Sequence, residues 1–265
     1  MYINETINEI NMDKALIEKY NMKEICYFDI ETTGFDKDQD EIILISMGYL
    51  ISEKKICIKQ YFSESKKEEK EILKEFNRDV KAFSKCCSYN GIAFDEPFIL
   101  NRMNKYKLEC GFPIKHIDLY RIIRPYYKEM GLHRCNLKTV EKFIGINRKD
   151  QIDGGESIEL YKRYLELKDE EVKNTILLHN YEDVLDLPYI FKLVNKIDLD
   201  ENLIRENRIS IKQIKYIRYL LSTKGINVDT NLERMSKKNA HKIINLMLKE
   251  DMDKKSIYHI LYNTY

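Results

Sequence analysis

The alternation of apolar and polar positions changes period several times along the chain, and each change marks an element. Glu24 to Ile30, EICYFDI, is a β-branched and aromatic run that predicts a buried strand. Glu41 to Ile51 and Ile56 to Phe62 flank the polar SEKK turn and predict an antiparallel meander continuing from it. Between Lys66 and Phe83 the period becomes helical, with Ile72, Leu73, Phe76, Val80 and Phe83 on one face. KCCSY returns to strand, followed by a helix after Pro97, a short strand at His116 to Leu119 and helices out to Lys196. Strands giving way to strand-helix alternation predict an α/β domain over residues 24–197 with a mixed sheet, the meander followed by parallel strands and flanked by helices. A helix around Lys14 to Tyr20 assigns residues 1–23 to an N-terminal helical extension.

The polar, acidic segment Asp198 to Asn202 separates this domain from a small helical module over residues 203–265. Ile211, Ile214, Ile217 and Leu221 predict the apolar stripe of its first helix, with Lys212, Lys215 and Arg218 on a neighbouring ridge. After the Gly225 turn, Ser236 caps a second helix bearing Ala240, Ile243, Ile244 and Met247.

Charge separates the two parts. The whole chain carries a net +1, but Arg205 to Lys249 holds 11 Lys and Arg against 3 Asp and Glu, or +8, so the remainder is acidic. A hydrophobic fraction of 43% and a charged fraction of 34% describe a chain with an ample core and a polar surface. No apolar run approaches the roughly 20 residues that span a bilayer, and the N-terminus lacks the core of a signal peptide, so a cytoplasmic protein without a membrane partner is expected. The six cysteines are then expected reduced; no CxxC pair occurs, and Cys86 and Cys87 would point to opposite faces of a strand.

In FDIETTGF, Asp29 and Glu31 lie two apart at a strand end and share a face. Two neighbouring buried carboxylates need cations to neutralise them, and divalent metal ions answer that need; taken alone, the pair is also what a solvated strand end looks like. Thr32, Thr33 and Gly34 add hydroxyls and a close-approach backbone position. In SYNGIAFDEPFIL, Asp95 stands near the start of a helix, where capping is the simpler explanation. In LLHNYEDVLDL, His179 and Asp183 are four apart and share a helix face, as solvated pairs also do.

Their joint occurrence in this order resembles the three exonuclease motifs of the DEDD superfamily, which adopt a ribonuclease-H-like fold. HIDLYRIIRPYY, LKTVEKFIGINRKD and GGESIELYKRYL are similar to its bacterial branch of predicted exonucleases, and the likeness covers about Cys26 to Val194. It implies that Asp29, Glu31, Asp95 and Asp183 hold two divalent ions, magnesium or manganese, and that His179 is the general base. The spacing of four matches the tyrosine subclass while the histidine matches the other. Tyr181, two before Asp183, would point about 200° away around the helix. The resemblance further places Asn90, Phe94, Thr32 and Thr33 at the terminal nucleotide, although Asn90 also reads as a turn residue and Phe94 as a core aromatic.

The implied activity is metal-dependent 3′→5′ hydrolysis of a nucleic acid, DNA or RNA and most simply a single-stranded end, releasing nucleoside 5′-monophosphates. A non-catalytic nucleic-acid-binding module is one alternative, weakened by four clustered negative charges; an endonuclease or structure-specific RNase with the same metal chemistry is another. DKDQDE, Asp36 to Glu41, lacks the glycine and distal glutamate of a calcium loop and reads as a polar turn. Gly154 and Gly155 lack the Lys-Ser/Thr of a P-loop and read as a turn, and Lys66 to Lys70 as the solvated start of a helix. The basic module is expected either to tether nucleic acid or to pack its positive face on the acidic domain.

Overall fold

The structure is a computed structural model and describes residues 1–200, 202–249 and 251–262. Six strands form one sheet: β1 (Tyr2–Glu9), β2 (Ile25–Thr32), β3 (Ile42–Ser52), β4 (Lys55–Phe62), β5 (Lys85–Ser88) and β6 (Lys115–Asp118), in the order β1-β4-β3-β2-β5-β6. β2, β3 and β4 form the expected antiparallel meander, and β5 and β6 add to β2 in parallel. The mixed sheet flanked by helices is a ribonuclease-H-like α/β fold.

The N-terminus corrects the sequence reading. The helix of residues 1–23 is confined to α1 (Lys14–Lys19), whereas residues 2–9 form an edge strand paired antiparallel with β4. Every other residue of YINETINE is exposed, but Ile3 and Ile7 stand on the exposed face while Asn4, Thr6 and Asn8 stand on the half-buried one, so apolarity does not follow the period of two that marks the strand.

The sheet carries a core on each face. On one side α2 (Glu69–Val80) and α3 (Asp95–Lys105) cover Cys26, Phe28, Ile45 and Cys86. On the other, α4 (Leu119–Ile123), α5 (Leu137–Phe143), α6 (Glu156–Leu167), α7 (Glu170–Leu185) and α8 (Leu187–Leu199) surround Tyr27, Ile58, Cys87 and Phe62. Cys86 and Cys87 therefore do face opposite ways, and all six cysteines are free thiols.

Helix α7 decides where the third motif lies. Asp169 caps it by accepting the Glu171 amide at 2.9 Å. Gly48 on β3 lets it come close: a Cβ there would stand 2.9 Å from Val184 Cγ1 and 2.8 Å from Ile58 Cδ1. Buried Gln60 on β4 pins the helix by donating to the Leu177 carbonyl at 2.9 Å and to Ser46 Oγ at 2.9 Å. Across the sheet, Glu69 is almost fully buried, not a solvated residue of a helix start: Arg102 donates to it from Nε at 2.6 Å and from Nη2 at 2.5 Å.

Helices α9 (Ile211–Thr223), α10 (Lys237–Met247) and α11 (Lys254–Tyr262) close over a core of their own that includes Ile217, Leu220, Ala240, Ile243 and Ile257. Ser236 caps α10 as expected, accepting the Asn239 amide at 3.1 Å. The stripe of α9 is shifted: Ile211 is 73% exposed, and Leu220 joins Ile217 and Leu221 inside. Lys212, Lys215 and Arg218 are exposed. The module is joined to the sheet domain through an Arg234–Asp198 ion pair, an Arg124–Glu206 pair at 3.6 Å and the Glu206 amide on the Pro125 carbonyl at 3.1 Å. Among the described residues no helix is long and apolar enough to cross a membrane.

Candidate active site

Asp29 and Glu31 project from β2 toward α7, because the residues alternating with them, Phe28 and Ile30, belong to the core on the opposite face. Asp29 Oδ2 accepts the Asn180 side-chain amide at 2.6 Å. Glu31 accepts the Ser157 hydroxyl from the start of α6, and its Oε1 lies 3.5 Å from His179 Nε2. His179 Nε2 is also 3.7 Å from Asp183 Oδ2, one turn along the helix. Glu31, His179 and Asp183 offer donor atoms that all lie within 4.8 Å of one another.

Asp95 enters from the opposite face of the sheet. It is the first residue of α3, with Phe94 in the cap position, so its carboxylate does not cap that helix; it reaches across to accept the Ile30 backbone amide at 3.1 Å. The loop before it is held by buried groups. Ser88 Oγ is 2.7 Å from His116 Nε2, His116 Nδ1 is 2.6 Å from Glu96, and the Gly91 amide donates to Ser88 Oγ at 3.1 Å. This Ser-His-Glu series has the order of a nucleophilic triad, but Ser88 is fully buried and serves as a strut. A Cβ at Gly91 would stand 2.2 Å from that hydroxyl, so this turn requires glycine.

Burial, with mutual repulsion added to it, raises the pKa of Asp29, Glu31 and Asp95. Burial, then the charges of Asp95, Asp183 and Glu31, push Asp29 well above the usual carboxylate range. Burial likewise pushes Glu31 up to about 8 and Asp95 up to about 7, with neighbouring carboxylates adding to the rise.

Residues outside the three motifs complete the surroundings. Arg148 is nearly buried and faces four carboxylates: it hydrogen-bonds Asp183 and lies 3.3 Å from Glu141, 3.3 Å from Asp150 and 3.6 Å from Glu182. Its Nη2 also donates to the His179 carbonyl at 2.9 Å. Asp150 Oδ2 stands 2.8 Å from His179 Nδ1. Burial works against the charge on Asp150, but the hydrogen bond and charge of His179, the Ile152 amide and Lys138 outweigh it and hold its carboxyl below the usual range. Arg148 and Asp150 lie in INRKD and Ser157 follows GGE, both within segments that resemble the exonuclease branch, yet neither segment assigns them a role. Asn180 is flagged only by its place between His179 and Asp183.

The remaining residues named from sequence divide. Thr32 donates to the Gly34 carbonyl at 2.5 Å; Thr33 donates to Asp40 at 3.1 Å and accepts the Glu41 amide at 3.0 Å, so both hydroxyls brace the turn after β2. Asn90 is exposed, in the left-handed region at φ 69°, and its amide donates to Asp118 at 2.9 Å. Phe94 packs on Phe98 and against Phe35, which is 76% exposed. Tyr181 turns away, donating to Asn8 on β1 at 2.7 Å.

A six-stranded mixed sheet with carboxylates on its central strand and on two flanking helices defines the class, and residues 26–195 match the RNase_H superfamily model: the chain belongs to the ribonuclease H superfamily. Among particular proteins, it is 28% identical over 199 residues to the uncharacterized protein YprB of Bacillus subtilis (strain 168), an alignment covering 74% of this chain and 48% of that protein. The chain thus spans about half the length of this relative. Among solved structures, the family B DNA polymerase of the hyperthermophilic archaeon Pyrobaculum calidifontis shares the fold, with a TM-score of 0.51 and 17% identity over 64% of this chain and 24% of the polymerase. Brucella melitensis NrnC aligns over 72% of this chain and 94% of its own at a TM-score of 0.34 and 12% identity.

Proposed function

We propose that the chain is a metal-dependent nuclease acting as a 3′→5′ exonuclease on nucleic acid. The observation that carries the reading is the convergence of Asp29, Glu31, Asp95 and Asp183, brought from three separate segments, on one site where burial, and then the neighbouring carboxylates, raise the pKa of the first three. A donor set of oxygens alone, crowded enough to resist ionisation, fits divalent magnesium or manganese. These four residues would hold the ions, two in the family's arrangement. Bound there, the ions supply charge neutralisation at the phosphate and a more acidic water.

The chain's own residues supply orientation and proton transfer. Asn180 and Ser157 fix the carboxylates of Asp29 and Glu31 by donating to them. His179 presents Nε2 to the site while Asp150 holds Nδ1, so Nε2 is the atom that accepts the proton of an attacking water. Its closeness to Glu31 and Asp183 favours a second reading, in which Nε2 is itself a metal ligand. His179→Gln separates the two: as base it loses turnover with metal affinity kept, and as ligand it loses affinity too.

The test uses linear oligonucleotides labelled at the 5′ or the 3′ end beside closed circles, as DNA and as RNA, with magnesium, manganese or chelator. The expected result is stepwise shortening from the 3′ end, intact circles, silence in chelator, and a loss of at least about a thousandfold in folded Asp29→Asn. Cleaved circles would make it an endonuclease. A chain that binds but never cleaves would leave a binding module.

A further inference from the structure

A cleft of about 550 Å³ opens beside the carboxylate site, and neither the four carboxylates nor His179 lines it. Its walls are Tyr89 and Asn90 just after β5, Tyr120 on α4, Arg124 and Tyr127 beyond it, and Arg134 on the approach to α5. The sheet fixes its place. Parallel pairing sets Tyr27 beside Cys87, so two residues further Asp29, still within β2, lies level with Tyr89, the first residue past the C-terminal end of β5. Ligands of α/β sheets collect at that end of the strands. Asn90 is shared by both regions, since its loop runs on to Asp95 and its amide is fixed on Asp118 at 2.9 Å.

The lining has a definite chemistry. Of the chain's residues 44 are Asp or Glu, yet none lines this cleft, whereas Arg124 and Arg134 do. Glu206 lies 3.6 Å from Arg124 and 3.6 Å from Lys128, so one carboxylate answers two cations. Arg134 is exposed and has no ion pair among the described residues. The Arg124 guanidinium sits 4.6 Å over the Tyr127 ring, which keeps it flat against the wall. Tyr89 and Tyr120 meet edge to face at 5.7 Å, and the Tyr89 hydroxyl is tied to the Cys135 carbonyl at 2.7 Å, so this wall is preorganised.

Aromatic rings and guanidinium planes stack on unpaired bases, and arginine pairs with phosphate. The volume falls in the range that encloses a small organic group such as a nucleotide. A base inside a duplex has no free face to offer these rings. We infer that the cleft is a second subsite that grips one unpaired nucleotide of a single-stranded nucleic acid, upstream of the two nucleotides that flank the phosphate held at the carboxylates. The inference rests on the nuclease reading for its direction along the strand. It makes the enzyme sensitive to substrate length: a dinucleotide occupies the carboxylate site and gains nothing from the cleft, whereas a longer strand fills both.

The test compares full-length protein with Arg134→Ala and Tyr127→Leu, the first exposed and the second keeping its apolar bulk, after circular dichroism has shown each folded. The probes are fluorescein-labelled oligothymidylates and oligouridylates of two and ten nucleotides. Binding is read by anisotropy in calcium, and degradation in magnesium or manganese. Each variant should bind the ten-mer at least about fivefold more weakly, with KM for it raised and kcat kept, and should handle the dinucleotide as the parent does. Unchanged ten-mer binding, or equal losses on both lengths, would overturn the subsite. A parent protein that shows the length-dependent binding loss on mutation but degrades neither probe would leave the subsite standing and remove the nuclease reading. Degradation that ignores both substitutions would do the reverse.

Discussion

His179 is held at both ring nitrogens, by Asp150 at Nδ1 and by the acidic cluster at Nε2. Asp150 stands behind His179 and outside the carboxylates proposed to hold the ions, which in that reading makes it a positioning residue. Asp150→Asn should lower kcat about tenfold to a hundredfold, the usual cost of losing a group that orients a site residue, with KM nearly unchanged. Nitrogen NMR of labelled histidine should show a changed tautomer balance in the variant; an unchanged spectrum with full activity would remove Asp150 from the mechanism. At this scale the sequence suggests as a set the residues whose types and spacings are distinctive together, Asp29, Glu31, Asp95, His179 and Asp183, on which the proposed site is built. It does not disclose Arg148, Asp150 or Ser157, because each acts across a long sequence separation on a partner in another segment. An isolated arginine in a loop, or a serine at a helix start, carries no spacing to read.

Between elements, packing is set by buried polar pins as much as by apolar stripes. Asp79 at the end of α2 ties the helix to β4 by accepting from Lys59 Nζ at 2.5 Å and from the Tyr61 hydroxyl at 2.6 Å. Burial raises its pKa, but these partners and Arg78 outweigh burial and hold it below the ordinary 3.8. Because the folded-state value is the lower one, this contribution is complete above the unfolded value and disappears as pH falls through the folded value. Asp79→Asn should therefore cost about 1 to 3 kcal/mol at pH 7, and the gap from the parent should narrow toward pH 3, as measured by urea unfolding at both pH values. An equal gap at both would show that packing, not charge, is what the substitution removes. The strands β2 to β6 and helix α2 follow their hydrophobic periods closely in sequence. The first strand does not, because an edge strand in water needs little apolar surface, and the helix α1 behind it gives the stronger local signal.

Across the whole molecule, the acidic sheet domain and the basic module are distinct cores tied by polar interactions. The sequence suggests a boundary in the polar run Asp198 to Asn202, where a break in apolar periodicity coincides with a change of charge, and α8 runs into that segment as far as Leu199. What the sequence leaves open is how the parts meet. Arg234 and Glu206 commit one charge each to the junction, while Lys212, Lys215 and Arg218 stay exposed. That arrangement favours a tether for nucleic acid over a packed counter-surface. Deleting residues beyond Asn202 should then weaken oligonucleotide binding and reduce the slope of log Kd against log salt by about one for each phosphate that the module no longer neutralises. An unchanged slope would assign the positive face to another role.

The single guanidinium of Arg148 among Glu141, Asp150, Glu182 and Asp183 has a consequence for how this site can evolve. Losing the arginine leaves four crowded carboxylates, so the least harmful next substitution is one that removes an acid, although the same substitution is damaging while the arginine is present. The five positions should therefore vary as a linked set, and lineages that abandon the arginine should be found to have abandoned part of its ring as well.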